Sequence, residues 1–147
     1  MKLSTKCRYG TRAMVEIARN HDQGQSTKRK DITANQGIPS SYLENILIDL
    51  RDKGLVTTVR GPKGGFSLTR KPEEMTMLDI IQALRGPDML QAECLAEEFP
   101  CDRKNICITR QVWVAMQKAQ DEVLKNISLK SLAVSDGSGL EKIEYVI

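Results

Sequence analysis

Apolar positions along the chain recur at helical spacing through most of its length and change once, between residues 55 and 69, to a strand-like pattern. Ser4 or Thr5 caps a first helix on which Tyr9, Ala13, Met14, Ile17 and Ala18 share a face, ending near Asn20. After a loop from His21 to Gln25, a shorter helix is expected from about Thr27 to Gln36, buried through Ile32 and Ala34 and stopped by Gly37. Pro39-Ser40-Ser41 opens a third helix over 40–53, with Leu43, Ile46, Leu47 and Leu50 at i, i+3, i+4 and i+7 and Gly54 past its end. That stripe must face a core. Ser41, Tyr42, Glu44 and Asn45 fall off it and are free to touch something else. Leu55 to Val59 is rich in β-branched residues, Phe66 to Thr69 alternates, and the Gly-rich turn between them makes the pair a β-hairpin.

Three helices followed by a hairpin predict a winged helix-turn-helix over residues 1–72. The fold class is therefore mainly α with a small β-hairpin wing. Thr76 and Asp79 form a capping-box-like start to a fourth helix bearing Met77, Leu78, Ile81 and Leu84, with Gly86-Pro87 ending it. A longer helix from about Thr109 to Asn126 carries Val112, Trp113, Met116, Ala119, Val123 and Ile127 close to heptad spacing. A small head offers little surface to cover that stripe, so a symmetric homodimer with Val112, Trp113, Met116, Ala119 and Val123 at its interface is the economical expectation. Residues 73–133 thus hold the fourth helix, a cysteine-containing loop and the long dimerisation helix. Ser128 to Ala133 adds a helical turn, and 134–147 reads as a flexible tail with a joint at Ser135-Asp-Gly-Ser-Gly139.

Charge changes the picture. Residues 1–72 carry 14 Lys and Arg against 6 Asp and Glu, a balance of +8, while the remainder carries 8 against 13, a balance of −5. A basic head on an acidic rear is the footprint of nucleic-acid binding. In a winged helix-turn-helix the third helix lies in the major groove with its N-terminal residues near base edges. Ser40, Ser41, Tyr42, Glu44 and Asn45 become the candidate readers. Arg60, Lys63 and Gly64 on the wing and Lys28 and Arg29 at the start of the second helix are candidates for backbone contact. The expected partner is double-stranded operator DNA.

Cys94, Cys101 and Cys107 follow a C-x6-C-x5-C spacing, and the fourth cysteine is Cys7. Thiolates are soft ligands, so such a loop suits an iron-sulfur cluster, copper(I) or zinc, although the spacing matches neither common ferredoxin run. Free thiols are the equal alternative from the residues alone. No apolar run is long enough to span a bilayer and no signal-peptide core follows Met1-Lys2, so the chain reads as cytoplasmic. In a reducing compartment a cysteine cluster is more often metal-binding or redox-active than a disulfide framework. No Ser/His/Asp set or paired acids suggests hydrolysis, and no enzymatic activity is expected.

The opening Met1-Lys-Leu-Ser-Thr-Lys, the segment Ile38-Pro-Ser-Ser-Tyr-Leu-Glu44, the run Leu-Arg-Asp-Lys-Gly-Leu-Val56, the wing Val59-Arg-Gly-Pro-Lys-Gly-Gly-Phe66 and the three cysteines followed by Ile-Thr-Arg-Gln-Val-Trp113 resemble the IscR, NsrR and CymR group of bacterial transcriptional regulators, often called the Rrf-two family. The resemblance runs nearly to Ala133. It implies a homodimeric DNA-binding regulator whose long helices cross and whose cysteine loop holds an iron-sulfur cluster, 2Fe-2S or 4Fe-4S, near the dimer interface. Members with a His three residues after the third cysteine use it as the fourth ligand, and here that position is Arg110, which has no lone pair to offer. Other members use a carboxylate from the partner's first helix. The matching position is Arg8, with Cys7 beside it as a candidate fourth ligand. Two further readings compete with cluster control: a DNA-binding regulator that senses oxidants through free thiols, and a small electron-transfer or cluster-carrier protein.

Overall fold

Among the residues described by the computed structural model, 3–85, 93–96 and 99–135, six helices and one hairpin follow in the order α1 (Thr5–His21), α2 (Arg29–Gln36), α3 (Ser40–Asp52), β1 (Val56–Val59), β2 (Gly65–Leu68), α4 (Met77–Arg85), α5 (Ile108–Lys125) and α6 (Leu129–Val134). Short 3-10 turns occupy Pro72–Glu74 and Glu93–Leu95. The expected helix stop at Gly86-Pro87 and the tail from Asp136 onward lie outside the described residues.

α1 is the central post. Its cap is Ser4, whose side chain accepts from the Cys7 amide at 3.1 Å, and its inner face buries Cys7, Gly10, Ala13, Met14, Ile17 and Ala18. α3 buries Leu43, Ile46, Leu47 and Leu50, the stripe that the spacing predicts. α4 crosses α1 at Gly10, where a Cβ would stand 2.2 Å from Leu84 Cδ1, so any larger residue would force Leu84 to move within the core.

α2 begins at Arg29, two residues later than the pattern suggests. Thr27 is occupied otherwise. Its amide donates to the Phe66 carbonyl at 2.9 Å and its carbonyl accepts from the Phe66 amide at 2.8 Å, an antiparallel bridge that extends the wing by one residue. A segment held in that bridge cannot also turn into a helix. Ala34 is a second correction: it is exposed, because two residues past buried Ile32 means a rotation of roughly 200° around a helix. The turn into α3 depends on Gly37, which closes α2 in the left-handed region at φ 59°. Between α1 and α2 the buried carboxylate of Glu16 accepts from Asn35 Nδ2 at 2.7 Å and Gln36 Nε2 at 2.8 Å. The charge is thereby satisfied rather than stranded.

β1 and β2 pair antiparallel, with Val56 opposite Leu68 and Val59 opposite Gly65. A Cβ at Gly65 would sit 2.5 Å from the Thr27 carbonyl oxygen, so the bridge itself demands glycine. The predicted capping box at α4 forms with Asp in the acidic role: Thr76 donates its amide to Asp79 Oδ2 at 2.8 Å, and the Asp79 amide donates to Thr76 Oγ1 at 3.2 Å. After α5 the chain returns to the head. The Met77 amide donates to the Ile127 carbonyl at 2.9 Å, and the Leu129 amide to the Met75 carbonyl at 2.8 Å. α6 then lies on α1, with Leu129 fully buried and Arg19 Nε donating to the Ala133 carbonyl at 3.0 Å. One apolar cluster joins residues from Cys7 to Ala133. α5 contributes no buried residue to it.

Candidate nucleic-acid interface and cysteine loop

With the α3 stripe committed to the core, the opposite face presents Ser40, Ser41, Tyr42, Glu44 and Asn45, all exposed. Ile48 belongs with them. It is 40 % exposed although isoleucine is usually buried, and it sits one turn beyond Glu44. An apolar tip there suits a thymine methyl group. The sequence carries its signal, since Ile48 falls outside the stripe of Leu43, Ile46, Leu47 and Leu50.

Neighbouring elements hold this face. The rings of Tyr42 and Tyr9 meet edge to face at 5.6 Å, with the Arg12 guanidinium 5.9 Å from the Tyr9 centroid. Lys6 Nζ reaches Asp49 Oδ2 at 2.7 Å, tying α1 to the back of α3. Arg29, the first residue of α2, reaches Glu44 Oε1 at 3.2 Å, and both side chains remain about half exposed. Lys28 is exposed at the α2 cap position, with no ion pair to its side chain among the described residues.

The wing tip carries Arg60 and Lys63, both exposed, and Gly64 is partly covered. Gly61 turns the chain at φ 107°, and a Cβ at Gly64 would meet the Val59 carbonyl oxygen at 2.5 Å. Ser26 Oγ donates to the Lys63 carbonyl at 2.5 Å. Together with the Thr27 bridge, this bond braces the wing on the loop that leads into α2. Sequence reasoning misses both braces, because nothing local marks which loop residue meets the hairpin. A groove between the two segments is lined by Ser26, Lys28, Asp31, Val59 and Lys63, so its cationic walls are the residues expected to meet phosphate.

The three loop cysteines are free and partly exposed, and Cys107 takes the cap position of α5. Its thiol is held below the ordinary cysteine range, first by a hydrogen bond with the Thr109 hydroxyl at 3.2 Å, then by the Arg110 backbone N–H, with Arg103 adding positive charge. The Arg110 guanidinium donates to the Cys94 carbonyl, which ties the two ends of the cysteine loop together. Three soft, accessible thiols, one biased toward thiolate, fit an iron-sulfur centre in kind. Among the described residues no three His, Cys, Asp or Glu side chains converge to ligand spacing, so a bound centre would require the loop to draw in. Cys7 is 0 % exposed within the core of the head, turned inward by its position on α1, so in this conformation its thiol is not open to a metal.

The expected pairing residues of α5, Val112, Trp113, Met116, Ala119 and Val123, are all exposed. No helix of the described residues is long and apolar enough to cross a membrane.

Comparison with known proteins settles the lineage. The family model for Rrf2, described as an iron-dependent transcriptional regulator, matches residues 3–135. The chain belongs to the Rrf2 family. The HTH-type transcriptional regulator CymR of Bacillus subtilis is 38 % identical over 147 residues, spanning 99 % of this chain and 100 % of that protein. The solved structure of CymR, the global cysteine regulator of B. subtilis, superposes with a TM-score of 0.74 at 36 % identity, covering 90 % of this chain and 96 % of the other. The structure of IscR from T. potens gives 0.72 at 32 % identity over 90 % of this chain and 85 % of the other. This Rrf2-family chain is accordingly a DNA-binding transcriptional regulator of mainly α, winged-helix architecture, and its relatives are regulators rather than enzymes.

Proposed function

We propose that this regulator acts in the cytoplasm as a homodimer whose operator binding is controlled by an iron-sulfur cluster held by Cys94, Cys101 and Cys107. Two winged-helix heads read two half-sites. Ser40, Ser41, Tyr42, Glu44, Asn45 and Ile48 face base edges, while Lys28, Arg60 and Lys63 meet phosphate and Gly64 lets the wing approach closely. The α5 faces pair the subunits. The cluster supplies a centre that can be gained, lost or oxidised, and the loop residues would hold it. The observation that carries the reading is the position of the cysteines. Cys94 and Cys107 both lie in the connection between α4, packed on the head, and α5, which exposes the pairing face, with Cys107 its last residue.

The deciding experiment is anaerobic purification followed by an absorption spectrum, iron and sulfide counts, and titration of operator DNA. Cluster control predicts visible charge-transfer bands, stoichiometric iron and sulfide, and loss of all three signals in Cys94→Ser together with altered DNA affinity. Bound iron without any effect of Cys94→Ser on DNA binding would refute control by the cluster. Iron-free protein whose DNA binding changes on mild oxidation would favour direct thiol sensing, a reading supported by the Cys107 thiol lying accessible at the start of α5. A carrier role is disfavoured by the construction of the reading face.

A further inference from the structure

The ion pair between Arg29 and Glu44 joins the first residue of α2 to the reading face of α3. It assigns Arg29 a different task from the phosphate contact that its place in the basic run Lys28-Arg29-Lys30 suggests. A glutamate on a groove-facing helix is an awkward reader. It can accept a hydrogen bond from cytosine N4, yet its charge is driven away from a duplex carrying one negative charge per roughly 1.7 Å. Arg29 removes that difficulty. Its Nη1 lies 3.2 Å from Glu44 Oε1, and neither Glu44 oxygen accepts a side-chain hydrogen bond among the described residues. The pair offsets the charge of the carboxylate and leaves it acceptor capacity to face a base.

We propose that Arg29 is a positioning residue for base specificity: by pairing with Glu44 it holds the carboxylate toward the groove and permits it to accept from a base amino group. The inference rests on the proposed reading role of Glu44 and names what makes that role workable. The pair also accounts for a junction between the two helices of the motif. Arg29 stands one residue past the Lys28 cap position of α2 and reaches from there to α3. Because both partners are about half exposed, the pair adds little to folding, and variants at either position should fold.

The test uses the full-length protein and a panel of duplexes derived from its selected operator, each changed at one base pair, with affinity followed by fluorescence anisotropy over a range of salt. Glu44→Ala should flatten preference at one position per half-site. Arg29→Ala should flatten preference at that same position by about fivefold or more, the double variant should be no flatter than Glu44→Ala alone, and Arg29→Lys should restore part of the preference. Lys63→Ala serves as the contrast, weakening all duplexes alike and lowering the salt slope by about one unit. If Arg29→Ala behaved like Lys63→Ala while Glu44→Ala still flattened its position, Arg29 would be a phosphate contact and the inference overturned. If Glu44→Ala changed no preference, the reading role itself would fail, and Arg29 would have nothing to position.

Discussion

Replacing Met116 and Val123 together by glutamate tests the pairing of subunits through α5. Val112, Trp113, Met116 and Val123 are 52, 41, 50 and 41 % exposed in the single chain. Fully burying a side chain of this kind is worth about 1.5–3 kcal/mol, so each roughly half-exposed one retains about 0.7–1.5 kcal/mol to gain. A two-fold axis doubles the set, giving about 6–12 kcal/mol against an association cost of about 4 kcal/mol or more. Removing two of the four halves that gain and sets four carboxylates in a desolvated seam, which the remaining residues cannot offset. Sedimentation velocity should show monomer, and specific DNA binding should collapse because half-sites are no longer read together. Lys118→Glu, about 200° around the helix from Met116, should remain dimeric. A double-glutamate variant that stayed dimeric would place the interface elsewhere and refute the reasoning from exposure.

Cys107 in the metal-free protein should be alkylated by iodoacetamide with a half-maximal pH lower than that of an unperturbed cysteine peptide treated alongside, because the reactive form is the thiolate that Thr109 and the Arg110 N–H favour. Thr109→Ala should move that midpoint upward, and a profile unchanged by the substitution, read by peptide mass spectrometry, would dismiss the hydroxyl as the cause. Gly10→Ala should lower stability by about 1–3 kcal/mol through overpacking against Leu84, seen as a fall in Tm of roughly 2–4 °C per kcal/mol. Adding Leu84→Ala should recover part of the Gly10→Ala clash, and the absence of any coupling between the two would contradict the close crossing of α1 and α4.

Much of the head is legible in the sequence because its signals are local. The Leu43, Ile46, Leu47 and Leu50 stripe, the Gly37 stop and the Thr76 and Asp79 box each act within a turn or two of the chain, and each appears where its spacing predicts. What escapes depends on residues that meet only after folding. Thr27 reads as a helix start until Phe66 pairs with it, and the burial of Glu16 under Asn35 and Gln36 has no signal in the local pattern. Cys7 looks available as a ligand only so long as the burial of the inner α1 face is unknown. For the site, residue types and the exposed side of α3 are visible in advance. The pairing of Arg29 with Glu44 and the Ser26 brace on the wing are not, since both cross between elements.

These contacts also constrain how a change in the cysteine loop can reach DNA. A shared core opposes movement of α3 against α1, and the close seating of Leu84 on Gly10 opposes sliding of α4 along α1. The head is therefore better treated as a rigid unit than as a deformable one. α5 differs: it packs on α4 without a fully buried residue of its own, is fixed to the head at its far end by the backbone bonds around Met75, Met77, Ile127 and Leu129, and meets the cysteine loop at its near end through Arg110 and Cys107. A helix of 18 residues is about 27 Å long, so a small displacement at the loop tilts a long lever about an anchored end. In a dimer built on α5, that tilt changes the separation and angle of two intact heads instead of the shape of either reading helix. Half-sites are read one helical turn apart, about 34–36 Å, so in such a dimer a displacement of the loop would change the half-site spacing that fits and would leave the base preference within each half-site unchanged.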